Sequence, residues 1–347
     1  MIPPITTTNY AEGDFTLRLS RHARLNFCRI VSLVISLTLA SALPARAEIT
    51  LVLSEWVGDL AWYVAREKGF FEKNGVKVNL IMSSSIDESF AMFDSGKVDA
   101  NSQPWGDTLV RASQKVPGKA ILAVDYSVGA DALMVGPNVA RISELKGKQI
   151  ALEEVAITQF LLDTALTRSG LTSKDVQARY MPTGDAAQAF LNGKVQATVV
   201  WNPFVNQIQT SRKGRPLFSS KDIPGMISDV IVASDRSLKQ KRSEYLRLIK
   251  CWYEAEQFIR TNRDEAISIM AKIVKQDPSE YRLFLPGVRL LDEKANLDAF
   301  GAEDHPRSLL NASKSWIKFL TKSKRLGGPL SPSTAIDGSL VREIAKR

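Results

Sequence analysis

The chain is read as an α/β protein of two similar βα lobes, and two observations lead there. From Glu48 onward, short β-rich runs alternate with stretches of helical periodicity, the pattern of βα units around a mostly parallel sheet. A segment also recurs: Phe93-Asp94-Ser95-Gly96-Lys97-Val98-Asp99-Ala100 parallels Phe190-Leu191-Asn192-Gly193-Lys194-Val195-Gln196-Ala197. Each copy runs into a strand and then a tryptophan, Trp105 or Trp201, and an acid, Asp87 or Asp185, opens the preceding helix.

Taken in order, "ITLVLS" is a strand, and Leu60 to Lys73 carries apolar residues at helical spacing before Asn74-Gly75. "VKVNLIM" is a strand, Asp87 to Ser95 a helix closed by Gly96, and "VDANSQ" and "AILAVDYS" are two more strands. A second set follows: strand "KQIALEE", helix Thr158 to Ser169, strand "VQARYMP", helix Asp185 to Asn192 and strand "VQATVVW". From Ser237 to Arg347 the pattern is mostly helical, with "SEYLRLIKCWYEAEQFIRTN", "NRDEAISIMAKIV", "HPRSLLNASKSWIKFLTKS" and the tail "SLVREIAKR".

Residues 1–47 read as a cleavable export signal. Arg18, Arg21, Arg24 and Arg29 precede the apolar run Ile30 to Leu43, and Ala45-Arg46-Ala47 supplies the small residues of a cleavage site after Ala47. The run is short for a membrane span, which needs about 20 residues. The basic stretch is long, so residues 1–16 read as an over-extended start. Without the five arginines and two acids of this segment, the 46 basic and 37 acidic side chains become 41 and 35, a net charge of +6. That charge is spread over the chain apart from "SKSWIKFLTKSKR", a solvated helix face, and no nucleic-acid motif accompanies it. The mature chain keeps one cysteine, Cys251, and one histidine, His305, which excludes an internal disulfide and a Cys/His metal site. Cys251 reads as helix packing and His305 as a cap or loop residue. Phosphate loops and the G-x-S-x-G elbow are missing from the sequence. Carboxylate pairs such as Asp125/Asp131 allow acid–base work in principle, but the balance favours binding over catalysis and implies neither cofactor nor metal.

In parallel α/β sheets, ligands bind beyond the carboxyl ends of the strands. The candidates are therefore Trp56, Gly58, Asp59, Ser84, Ser85, Trp105, Asp125, Ser127, Asp131, Glu153, Trp201 and Asn202. Trp62, Trp252 and Trp316 fall on helices and are expected in the core. Trp56, Trp105 and Trp201 follow strands and are expected to wall a cleft.

The stretch "WVGDLAWYVAREKGFFEKNGVKV", together with "FDSGKVDAN", "VDYSVGADALMV", "ISELKGKQIALEE", "FLNGKVQATVVWNPF", "PGMISDVIVAS" and "RTNRDEAISIMAK", resembles the periplasmic substrate-binding proteins of ABC importers of the nitrate/sulfonate/taurine type. These proteins share their fold with pyrimidine-precursor-binding proteins. The resemblance covers almost the whole mature chain. It implies a type II periplasmic-binding-protein fold with two crossing strands near Asp125 to Met134 and Ile227 to Ala233. Residues 48–127 plus 229–347 would form lobe one, 133–225 lobe two, and 128–132 and 226–228 the hinge. It also implies a monomer that captures a small-molecule ligand by lobe closure and delivers it to a permease and its ATPase. On the ligand side it adds Asp229 and the pair Thr158-Gln159, where many members carry Ser-His; Trp201-Asn202-Pro203 replaces Trp-Glu-Pro. These departures leave the ligand open among sulfonate, taurine, nitrate and pyrimidine-like compounds. The strand-end loops hold Glu55, Asp59, Asp107, Asp125, Asp131, Glu153 and Glu154 and no lysine or arginine, which leans towards a neutral or amine-bearing organic ligand. Two other readings of the same fold are a pyrimidine-precursor enzyme and a periplasmic sensor that presents its ligand to a receptor.

Overall fold

A computed structural model describes residues 47–346. The export signal, its cleavage site, Cys28 and His22 lie outside or at the edge of the described residues. Among the described residues no helix is long and apolar enough to cross a membrane.

The chain builds a first βα set from β1 (Glu48–Leu53), α1 (Ala61–Glu67), α2 (Phe70–Lys73), β2 (Lys77–Met82), α3 (Ile86–Asp94), β3 (Ala100–Pro104), α4 (Trp105–Ser113) and β4 (Lys119–Ser127). A second set holds β5 (Asp131–Val135), β6 (Gln149–Leu152), α5 (Ala156–Arg168), β7 (Gln177–Tyr180), α6 (Thr183–Leu191), β8 (Ala197–Trp201), α7 (Phe204–Thr210) and β9 (Arg215–Ser219). The chain then returns through β10 (Ser228–Ala233), α8 (Asp235–Gln240), α9 (Arg242–Thr261), α10 (Arg263–Ile273), α11 (Pro278–Tyr281), β11 (Val288–Leu290), α12 (Glu293–Ala299), α13 (Leu309–Lys322) and α14 (Ser339–Ile344).

The first sheet has the order β11-β4-β10-β3-β1-β2 and the second β7-β6-β8-β5-β9. β1 runs parallel to β2 and β3, and β6 parallel to β7 and β8. The antiparallel members include the two strands that arrive from the other sheet, β5 against β8 and β9 and β10 against β3 and β4. The crossings are short: Val128 to Ala130 outward, and the segment between Ser219 and Ser228 on return. They are tied where they meet, since the Ser127 and Ser220 hydroxyls lie 2.8 Å apart and Gly129 N donates to Ser220 Oγ at 2.6 Å.

The sequence repeat has a structural cause. Gly96 and Gly193 both stand at positive φ, 69° and 70°, the left-handed turn that ends a helix without a Cβ penalty. The expected helix from Leu60 to Lys73 is in fact two, because Gly69 takes φ 69° and splits α1 from α2. The sequence reading also assigns no element to α4, α7, β9 or β11.

Trp62 and Trp252 are fully buried with ring centroids 4.9 Å apart. Trp316 of α13 is buried too, stacked on Phe160 of α5 at 4.1 Å, and its Nε1 donates to Met226 O at 2.8 Å in the returning crossing. One apolar cluster therefore joins Val52 and Leu109 of the first set to Leu133, Phe160 and Val199 of the second, with α13 against both. Cys251 is packing, as expected: burial pushes its thiol up to about 12. His305 sits in a turn 3.6 Å from Asp298.

Trp316→Ala removes a buried ring and a hydrogen bond from this seam. It is expected to destabilise the protein by about 3–5 kcal/mol in urea unfolding; an unchanged unfolding midpoint would contradict the bridging role of α13.

Candidate functional site

Where the strands of the two sheets end, they leave a cleft of about 340 Å³, the size for one small molecule. Nine of the sequence candidates line it: Trp56, Asp59, Ser84, Ser85, Asp131, Glu153, Trp201, Asn202 and Asp229. Six others do not.

Trp105 is the clearest correction. It opens α4, is buried under the C-terminal part of the chain, and its Nε1 donates to Ser313 Oγ of α13 at 3.1 Å. Its place after a strand therefore makes it core and not cleft wall. Thr158 is buried and turns its hydroxyl back to Glu153 O at 2.7 Å and Val155 O at 3.1 Å, which fixes the loop before α5. Gln159 follows it on α5, off the lining, and its Nε2 is buried without a partner. Ser127 belongs to the tie between the crossings. Gly58 and Asp125 stand directly behind the lining. Trp56 Nε1 donates to Asp125 Oδ2 at 2.8 Å, and a Cβ on Gly58 would come within 1.8 Å of that oxygen. Glycine at 58 is thus required by Asp125 and not by a ligand.

The loop after β1 is held by Asp59, whose Oδ2 accepts from Ser54 N and Ser54 Oγ, each at 2.9 Å. The first N–H groups of α1 do not point free into the cleft, because Leu60, Ala61 and Trp62 donate to Trp56, Gly58 and Asp59 carbonyls. The same occurs around the rim. Ser84 N donates to Glu88 Oε2 at 2.6 Å and Thr183 N to Glu153 Oε2 at 3.1 Å.

The register of the strands sets the electrostatics. Asp125 and Asp229 face each other directly across the β4–β10 pair, a placement that disfavours two like charges. Asp131 pairs with Trp201 across β5–β8. Burial pushes Asp59 and Asp131 up to about 6; serine hydroxyls at Ser102 and Ser54, and at Ser127, only partly offset it. Burial, and then neighbouring aspartates, hold Asp229 well above the ordinary carboxylate range. Asp125 is raised by burial as well, against the pull of the Trp56 hydrogen bond. No lysine or arginine lines the cleft, whose apolar wall comes from Trp56, Ile86, Pro104, Ile157, Trp201 and Phe204.

Sequence reasoning missed Ser102, Ile86 and Phe204. Ser102 lies inside a strand, and the other two are apolar residues at helix starts, so only the fold distinguishes them from core.

Residues 59–266 match the family described as NMT1/THI5 like. The chain belongs to the NMT1/THI5-like family. Relatives of this NMT1/THI5-like chain include a protein of Brucella abortus named as a binding protein, 25% identical over 70% of this chain and 75% of its own length. An aliphatic sulfonates-binding protein of Bacillus subtilis is 22% identical over 81% of this chain and 83% of its own. Among solved structures, the periplasmic aliphatic sulphonate binding protein of Escherichia coli superposes with a TM-score of 0.72 at 17% identity, covering 85% of this chain and 99% of that one. The fold is also that of the desulfurization enzyme DSZB, with a TM-score of 0.61 at 16% identity, over 87% and 99% of the two chains.

The raised carboxylates predict how stability depends on pH. Below about pH 4 these groups are protonated in both states and cost nothing. As pH rises, the unfolded chain releases its protons first, so stability falls until the folded values near 6 are passed. Each of Asp59 and Asp131 then costs about 3 kcal/mol. Asp131→Asn is therefore expected to be more stable than the wild type at pH 7.5, with the difference shrinking at pH 4.5, in urea unfolding at both values. An equal difference at the two pH values would contradict the burial of an uncompensated Asp131.

Proposed function

We propose that the protein is the solute-binding component of an ABC-type importer, exported to the periplasm after cleavage behind Ala47, where it holds one small organic nutrient as a monomer. The observation that carries the reading is the lining of the cleft, drawn from both sheets near the place where the chain crosses between them twice. A ligand touching Trp56 and Asp59 on one side and Asp131, Trp201 and Asn202 on the other links the two sets of strands, so that binding favours a closed form. The lobes would be residues 48–127 plus 229–347 and 133–225, with the hinge at 128–132 and 226–228. A permease and its cytoplasmic ATPase would receive the closed form.

Family membership and relatives named for binding support this reading. The shared fold with a desulfurization enzyme makes the alternative concrete, and the cleft lining contains neither histidine nor cysteine. Asp59 and Asp131 line the cleft with values suited to acid–base work, but buried carboxylates serve charge recognition equally.

Deletion of the gene is expected to abolish high-affinity uptake of one solute by the producing cell, with uptake restored by the intact protein. The protein should release that solute chemically unchanged. Unimpaired uptake of every solute tested, or recovery of a converted product, would contradict the proposal. Trp56→Ala should lower affinity for that solute by more than it lowers stability. Equal loss of both would assign Trp56 to packing alone.

A further inference from the structure

We propose that the cleft selects an organic cation: an ammonium or amidinium group on a small apolar or aromatic body, its N–H groups received by the carboxylates of Asp59, Asp131 and Asp229. The proposal rests on the solute-binding reading above and adds the charge class of the solute.

The three carboxylates come from separate places in the fold, the loop after β1, the first residue of β5 and the β10 strand, and meet at one cleft. Asp125 stands behind them. All four are more than nine-tenths buried. Asp59 Oδ1, Asp131 Oδ2 and Asp125 Oδ1 are buried and accept no hydrogen bond. Leaving such atoms unpaired is costly, and this chain satisfies a comparable group elsewhere. Asp99, as buried as Asp229, accepts from Lys241 Nζ at 2.8 Å, from Thr50 N and from Ser237 Oγ. At the cleft the equivalent of Lys241 is missing from the lining. A cationic ligand supplies it.

Several of the donors that an anion would use there are occupied. Four backbone N–H groups at the strand ends are taken by acids: Ser54 N by Asp59, Ser84 N by Glu88, Ala156 N by Asp107 and Thr183 N by Glu153. A sulfonate or nitrate would also face the field of the four buried aspartates. A metal ion fits no better, since among the described residues no group of three or more His, Cys, Asp or Glu is arranged to hold one. The body of the ligand would lie against Trp56 and Trp201, whose ring faces favour a cation.

Binding should then exchange protons. The charged groups around the cluster are Asp59, Asp107, Asp125, Asp131, Asp229 and Glu153, together with Glu55 at the cleft and Arg325, whose charge acts on Asp107 and which lies 3.8 Å from Glu154. With so little positive charge nearby, burial and the neighbouring acids strengthen the cluster's hold on protons, and an arriving cation displaces those that remain.

The test is calorimetric titration of the exported protein with benzamidine, benzylamine, benzyl alcohol, benzenesulfonate, sodium nitrate and zinc chloride, in cacodylate at pH 5.5 and 7. Benzamidine or benzylamine is expected to bind, about tenfold more tightly per pH unit for each proton released, with that release read by a pH electrode in unbuffered salt. Asp131→Asn should retain the fold and cooperative unfolding yet bind that cation at least about tenfold more weakly. Binding of benzenesulfonate, nitrate, zinc or benzyl alcohol in preference to both cations overturns the cation proposal and leaves the solute-binding reading standing. So does silence from both cations at about millimolar concentration, in which case the uptake assay alone decides the wider reading.

Discussion

The structure turns on a cluster of buried carboxylates at the place where the two sheets approach each other. Asp125 and Asp229 are cross-strand partners in the first sheet, and Asp131 is the first residue of the strand that enters the second. Their positions follow from the register of β4, β5 and β10, so the fold cannot be kept and the acids moved apart. Trp56 is oriented by its hydrogen bond to Asp125, and Gly58 is a glycine because Asp125 occupies the space of a side chain. The loop that follows β1 is closed on itself by Asp59, which accepts from Ser54 N. Away from the acids, both sets of strands share the apolar seam around Trp316 and Phe160.

Such a site trades stability for recognition. Buried acids weaken the empty protein near neutral pH, and a ligand that neutralised them would restore what was lost, so that ligand binding and folding stability would be coupled.

The fold was largely legible in the sequence. The alternation of β-rich and helical runs and the recurring Phe-x-x-Gly-Lys-Val segment identified two equivalent βα sets, and Gly96 and Gly193 adopt matching conformations for the reason the repeat exists. The break at Gly69 was not legible, because apolar spacing continues through it and only the backbone turn interrupts it. At the site, position after a strand was a good guide for Trp56, Asp131, Trp201 and Asn202 and a poor one for Trp105. Whether a strand-end tryptophan faces the cleft depends on what packs over it, and α13 arrives from about two hundred residues later in the chain to cover Trp105. Thr158 and Gln159 failed for a related reason, since a hydroxyl near a helix start can serve its own backbone as readily as a ligand. The acid excess was visible as composition. Its gathering along one cleft needed the register of the strands and the loop after β1.

The central claim is that this cluster awaits a positive charge. Mass spectrometry of the small molecule carried by the protein, isolated under native conditions from the periplasm of the producing cell, tests it most directly. The account predicts a nitrogen base that is cationic at neutral pH. A sulfonate, nitrate or another anion found in one-to-one amount would contradict it.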